Sequence, residues 1–199
     1  MVIKWNLFWL VVLFPVVLTA CNSSEEASPT AEAATQSIAL SKSFSREENG
    51  QTFQFNYPSG WVVADAFGMI SLANSQAVLD LISSANIEEV SLPANSFGLQ
   101  ITQLPADQLP AEIDSPLSLL SMMMQSAAGD AAPTFGSPEE LTINGNPAAH
   151  VAMTLPEGGS GAIYSLKAGD NYLFVVAMSP AYTDYANTTT AILQTITVQ

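Results

Sequence analysis

Positive charge is nearly missing from this 199-residue chain: four Lys and Arg stand against eighteen Asp and Glu, a formal charge of −14. Nucleic-acid binding draws its affinity from clustered cations that displace counterions, so four scattered ones exclude it. The chain has one Cys and one His. A single Cys forms no intramolecular disulfide. One Cys and one His cannot furnish a zinc or iron–sulfur ligand set. The acidic doublets Glu25-Glu26, Glu47-Glu48, Glu88-Glu89 and Glu139-Glu140 lack the Asp-x-Asp-x-Asp-Gly spacing that converges oxygens on calcium, so they read as solvated charge. No metal and no cofactor are expected. There is no internal repeat, and the length allows one domain with a tail.

What the chain does have begins at its N-terminus. Lys4 is the sole charge before Glu25, and thirteen of the sixteen residues from Trp5 to Ala20 are apolar. The core of this run, Leu7 to Leu18, has the length of a secretory h-region and is short for a bilayer-spanning helix. Leu18-Thr19-Ala20-Cys21 follows. These four residues resemble the bacterial lipobox, which implies a diacylglyceryl group on the Cys21 thiol and cleavage just before it. The chemistry suits them: a thiolate is the nucleophile a lipid donor alkylates, and small side chains at 19 and 20 admit a peptidase. The competing reading is an ordinary N-terminal membrane helix with Cys21 as a bystander. Residues 1–20 are therefore expected to be a lipoprotein signal peptide, and Cys21 the site of lipidation. Residues 21–40 are the lipidated Cys and a flexible acidic tether, since the Ser, Thr, Ala and Glu of 22–37 bury too little to offset ordering.

Residues 41–199 read as one domain. Phe53, Phe55 and Tyr57 alternate with Gln54 and Asn56 as a half-buried strand, and Pro58-Ser59-Gly60 is a turn. Short strands follow at Trp61–Val63 and Gly68–Leu72, then a helix at Ala77–Ile82 and a strand at Phe97–Leu104. Ser115 suits an N-cap and Pro116 a first helical position, so a helix is expected from there to Ala127, with Gly129 as its stop. Leu141–Ile143 and Ala149–Leu155 form a hairpin around Asn144-Gly145-Asn146. Ala162–Lys167 and Tyr172–Met178 form a second around Gly169-Asp170-Asn171. Tyr185 to Val198 reads as a C-terminal helix with Tyr185, Thr189, Ile192 and Ile196 on one stripe. Hairpins imply antiparallel pairing, and segregated strands and helices imply α+β.

Phe53 to Trp61, read as Phe-Gln-Phe-Asn-Tyr-Pro-Ser-Gly-Trp, resembles the aromatic-x-Tyr-Pro-x-Gly-Trp opening of PsbP-like domains. Gly145-Asn146-Pro147-Ala148-Ala149 and the closing hairpin and helix are similar to that family's C-terminal half. The resemblance covers about residues 45–198. It implies an α/β/α sandwich with a central, mainly antiparallel sheet. It also implies kinship with lumenal proteins that assist photosystem II, some of them lipoproteins. His150 is the chain's one histidine, so a histidine-based metal site of the family does not carry over.

Chemistry is sparse. His150 lies opposite Val151 and Met153 in a strand pattern. Ser160 sits in Gly158-Gly159-Ser160-Gly161, which is not Gly-x-Ser-x-Gly; the glycines read as a flexible approach to a hairpin. A Ser160/His150 hydrolase is the remote alternative, and no catalytic residue is assigned. Met122-Met123-Met124 point three ways on a helix, so they do not converge on one ion; core packing is expected, with partial exposure. Trp61 and Tyr57 are likewise expected in the core. The expected function is a non-enzymatic, lipid-anchored interaction or assembly module on the outer face of a bacterial membrane. Its partners are membrane lipid through Cys21 and an envelope protein. A small-ligand module with a pocket between sheet and helix is the alternative.

Overall fold

The computed structural model describes residues 38–199 except 49, 67, 85–90, 128–131 and 157. The expected signal peptide, Cys21, the expected tether up to residue 37, Glu88-Glu89 and the expected Gly129 stop lie outside the described residues. From Thr35 onward the chain is one compact unit.

The strands are β1 (Leu40–Glu48), β2 (Gln51–Pro58), β3 (Val62–Ala66), β4 (Met69–Ala73), β5 (Gly98–Pro105), β6 (Thr134–Phe135), β7 (Glu139–Ile143), β8 (Asn146–Thr154), β9 (Ser160–Ala168), β10 (Asn171–Ser179) and β11 (Thr197–Val198). The helices are α1 (Gln76–Ser84), α2 (Pro116–Ser126) and α3 (Ala186–Leu193). One sheet runs β3-β4-β5-β10-β9-β8-β6, with β7 also paired to β8; a small sheet runs β1-β2-β11. Every pairing is antiparallel. The α+β class is as the hairpin signals imply.

Alternation along β10 divides the core. Leu173, Val175 and Ala177 face Phe53 and Phe55 of β2 and Ile192 and Leu193 of α3. Val176 and Met178 face the other way, with Val151, Met153 and Ile163, toward Val78, Leu79 and Ile82 of α1 and Leu120 of α2. The large sheet is thus the middle layer. Its one face carries α1 and α2, and its other carries α3 together with the small sheet. Each large side chain buried here contributes about 1.5–3 kcal/mol, so neither face can be left bare.

Local signals place several elements. Ser115 caps α2 through a reciprocal pair: the Ser118 N–H donates to Ser115 Oγ at 3.1 Å, and the Ser115 N–H donates to Ser118 Oγ at 3.0 Å. That box and Pro116 start α2 where the sequence predicts. Asn144 and Gly145 both have positive φ, +50° and +78°, as a two-residue hairpin loop matching strand twist requires.

Two elements differ from expectation. The C-terminal helix ends at Leu193, not near Val198, and Thr197–Val198 pairs with Phe53–Gln54 of β2. The stripe itself is right, since Thr189, Ile192 and Ile196 are all buried. The β-branched run Thr195-Ile196-Thr197-Val198 favours extended backbone, and the free edge of β2 supplies the partner that periodicity alone does not reveal. β1 is the second difference. Its polar LSKSFSREE pattern is stabilised by pairing to β2 rather than by its own alternation.

Candidate functional site

The sequence singles out His150 and Ser160, and the fold keeps them apart. His150 is paired with Tyr164, and Ser160 with Thr154, on neighbouring strands β8 and β9. The two therefore sit four residues apart along one ladder, about 13 Å at the usual strand rise. His150 stacks on the Tyr164 ring at 5.6 Å between centroids. Its Nδ1 is 4.0 Å from Glu139 Oε2, beyond hydrogen-bond reach. Ser160 Oγ instead accepts from the Tyr182 N–H at 3.4 Å. Neither residue has the oriented base or nucleophile that acyl transfer needs.

Gly161 is not a flexible approach. It lies inside β9, where a Cβ would run into the Ala177 carbonyl oxygen and come 2.7 Å from Met153 Cε. A glycine here lets β10 and the Met153 side chain close in.

The Tyr182 hydroxyl is buried beside that of Tyr164, 3.2 Å away. Burial, and then the neighbouring Tyr164, push its pKa far above that of a free phenol. It remains a neutral hydrogen-bonding group at any physiological pH. Trp61 packs on Phe97 at 5.0 Å, and Phe97 stacks on Tyr185 at 5.0 Å. Trp61 and Tyr57 are half-buried and join the first core, so the aromatic motif builds the fold.

The open feature is a groove on the second core face. The C-terminal half of α2 stops short of covering β8, β9 and β10. Met123, Phe135, Met153, Ile163, Phe174 and Val176 line a space of about 210 Å³. Among the described residues no charged side chain lines it, and Ser126 contributes the one hydroxyl. Met122, Met123 and Met124 are each half-buried. Of the three, Met123 alone lines the groove, and Met124 packs against the core. The methionine run flagged one wall. Phe135, in a two-residue strand, and Phe174, among buried neighbours, carried no sequence signal for the other walls.

Among the described residues no three His, Cys, Asp or Glu side chains gather as a metal site, and no helix is long and apolar enough to cross a membrane.

Neither a family model nor a curated protein matches the sequence. Solved structures do match. The solution structure of cyanobacterial PsbP from Synechocystis sp. PCC 6803 superposes with a TM-score of 0.52 at 12% identity, over 86% of this chain and 100% of that one. The fold is PsbP-like. A crystal structure from Bacteroides thetaiotaomicron gives a TM-score of 0.44 at 12% identity, over 74% of this chain and 45% of that one. A protein of unknown function, PA94 from Pseudomonas aeruginosa, gives 0.43 at 13% identity, over 77% and 94%. At these identities the likeness concerns the path of the chain and not its residues.

Proposed function

We propose that the chain is a lipid-anchored, extracytoplasmic interaction module without enzymatic activity, held to its membrane through an acylated Cys21. The observation that carries this reading is Leu18-Thr19-Ala20-Cys21 at the end of an h-region, with the chain's one Cys in the modified position. Two or three acyl chains give firm attachment where one gives marginal binding. Eighteen residues lie between Cys21 and Leu40. An assembly role, which the PsbP resemblance implies, fits such a tethered domain.

The groove beside Met123 is the surface on which a partner docks in this reading. Its occupant is an apolar side chain of an envelope protein, flanked there by basic residues. Charge complementarity argues for the flanks, since eighteen acids against four bases repel an acidic partner. Size argues for the side chain. At about 210 Å³ the groove is smaller than the roughly 300–1,000 Å³ of small-molecule pockets. That difference places the small-ligand reading second for this groove.

Two measurements test the proposal. Mass spectrometry of the membrane-extracted chain reads out cleavage before Cys21 and the acyl mass; an intact, unmodified N-terminus overturns the anchor. Crosslinked pull-down from membranes compares the wild type with Cys21→Ser and Met123→Glu. One basic envelope protein, captured by the wild type and lost from both variants, supports the module. Capture unchanged in Met123→Glu removes the groove from it.

A further inference from the structure

A second, polar cleft opens where the start of β2 meets the end of β5 and the turn between β9 and β10. Glu48, Gln51, Gln103, Gln108 and Asn171 line a space of about 240 Å³. Beside it lies a space of about 490 Å³, which shares Gln51 and Asn171 and adds Asp107 and Asp170. The larger alone falls in the range of ligand clefts, roughly 300–1,000 Å³. We propose that this cleft binds a saccharide, neutral or cationic, through carboxamides that the fold has already oriented.

The orientation of Gln103 follows from a donor that cannot be reversed. Arg46 Nη2 lies 3.2 Å from Gln103 Oε1. A guanidinium only donates, so the oxygen of Gln103 must face it, and the two Nε2 hydrogens of Gln103 are left for the cleft. Asn171 is 5% exposed, and its Nδ2 donates to Gln51 Oε1 at 2.7 Å. Whichever of the two carboxamides donates, the pair leaves one amide N–H group and one carbonyl oxygen for the cleft. Glu48 is fixed by Arg46 at 3.0 Å and adds a carboxylate acceptor. The base of the cleft is held as well, because the Ala106 N–H donates to the Asp170 carbonyl at 3.0 Å.

Donors and acceptors thus both line the cleft. A sugar hydroxyl both donates and accepts, so a vicinal diol satisfies such a pair. A bare metal ion does not, because it wants oxygens alone and the amide hydrogens of Gln103 face it. Glu48, Asp107 and Asp170 on the rim repel anions, so acidic sugars are excluded. This site shares no residue with the groove beside Met123 and stands or falls independently of the anchor.

The test is nitrogen-15 NMR of the full chain in detergent micelles, read at the side-chain amides of Gln51, Gln103 and Asn171. The probes are N-acetylglucosamine, glucosamine and glucuronate. Saturable shifts with the first two and none with glucuronate are expected. Gln103→Ala should weaken binding about tenfold, the loss of one well-made polar contact. Gln108→Ala changes an exposed residue and should weaken it about threefold, which keeps the test open if Gln103→Ala does not fold. The proposal is overturned by absence of saturation with either uncharged or cationic sugar. Equal binding of glucuronate, or unchanged affinity in the folded variants, also overturns it.

Discussion

Arg46 on β1 reaches Asp65 on β3, with Nη1 3.1 Å from Oδ1, and so ties the small sheet to an edge strand of the large one. The same guanidinium contacts Glu48 on its own strand and Gln103 on β5. Its side chain is 12% exposed, whereas those of Asp65 and Glu48 are 32% and 53% exposed. The cation is the enclosed partner and the carboxylates are wet. Arg46→Ala should therefore cost about 1–2 kcal/mol, mainly through lost packing of the stem and the unpaired Gln103. Asp65→Asn should cost less than about 1 kcal/mol, as partly exposed pairs do. Urea midpoints at constant m-value report both. Equal losses for the two would mean the pair acts as a buried one.

Gly161→Ala should be the most damaging of the glycine substitutions. The new methyl meets the Ala177 carbonyl of the neighbouring strand, a backbone atom that cannot swing aside. A cost of about 3 kcal/mol or more is expected. Gly136→Ala is the control, because its nearest contact would be an ordinary 3.6 Å to the Ala152 oxygen. Thermal melts of the two variants should differ by well over the error of the method.

Tyr182 makes stability fall at alkaline pH. Its pKa in the folded chain is raised above the unfolded value of about 10. The unfolded chain therefore releases this proton first. The contribution is complete below about pH 10 and is lost as pH rises from there toward the folded value. The slope from this one group is at most about 1.4 kcal/mol per pH unit. Tyr182→Phe should lower stability by about 1 kcal/mol at pH 7 by breaking the bond to Tyr164. It should also flatten the decline between pH 10 and 11. Denaturant midpoints at pH 7, 10 and 11 measure both effects, and an unchanged decline would place the titrating group elsewhere.

Substitution in the groove should separate docking from folding. Met123 and Phe174 are only half-buried, so Met123→Gln should change stability by less than about 1 kcal/mol. Val176→Ala, at a buried wall position, should cost about 1–3 kcal/mol. Chemical crosslinking in membranes should lose the partner with Met123→Gln while the melting temperature stays near the wild type. Loss of partner in step with loss of stability would reduce the groove to a structural seam.

The legible parts of the fold are those with local causes. Asn144-Gly145 demands positive φ at two successive residues, and few backbones other than a tight hairpin provide it. Ser115 and Pro116 leave the start of α2 little choice. The β7–β8 hairpin shows its alternation from Val151 onward, whereas β9 and β10, buried on both faces, show as apolar runs around a Gly-Asp turn. β1 and β11 were not legible. Each takes its hydrogen bonds from β2, a strand remote in sequence from β11, and propensity records no partner. The groove was legible only through Met123. Phe135 and Phe174 reach it from β6 and β10, which meet through the sheet and not along the chain.

The sequence by itself determined the acidity, the lack of a cysteine framework, the lipobox-like Cys21, and the antiparallel α+β order of strands and helices. These follow from composition and from patterns spanning a few residues, where backbone preference and side-chain periodicity act alone. Tertiary structure decided the rest: the division into two sheets, the separation of Ser160 from His150, the turn of the Gln103 amide under Arg46, and the uncovered wall beside Met123. Each of these depends on strand register and on which side chains meet across elements tens of residues apart. A one-residue change of register turns every side chain of a strand to the other face, so such relationships exist only once the core has packed.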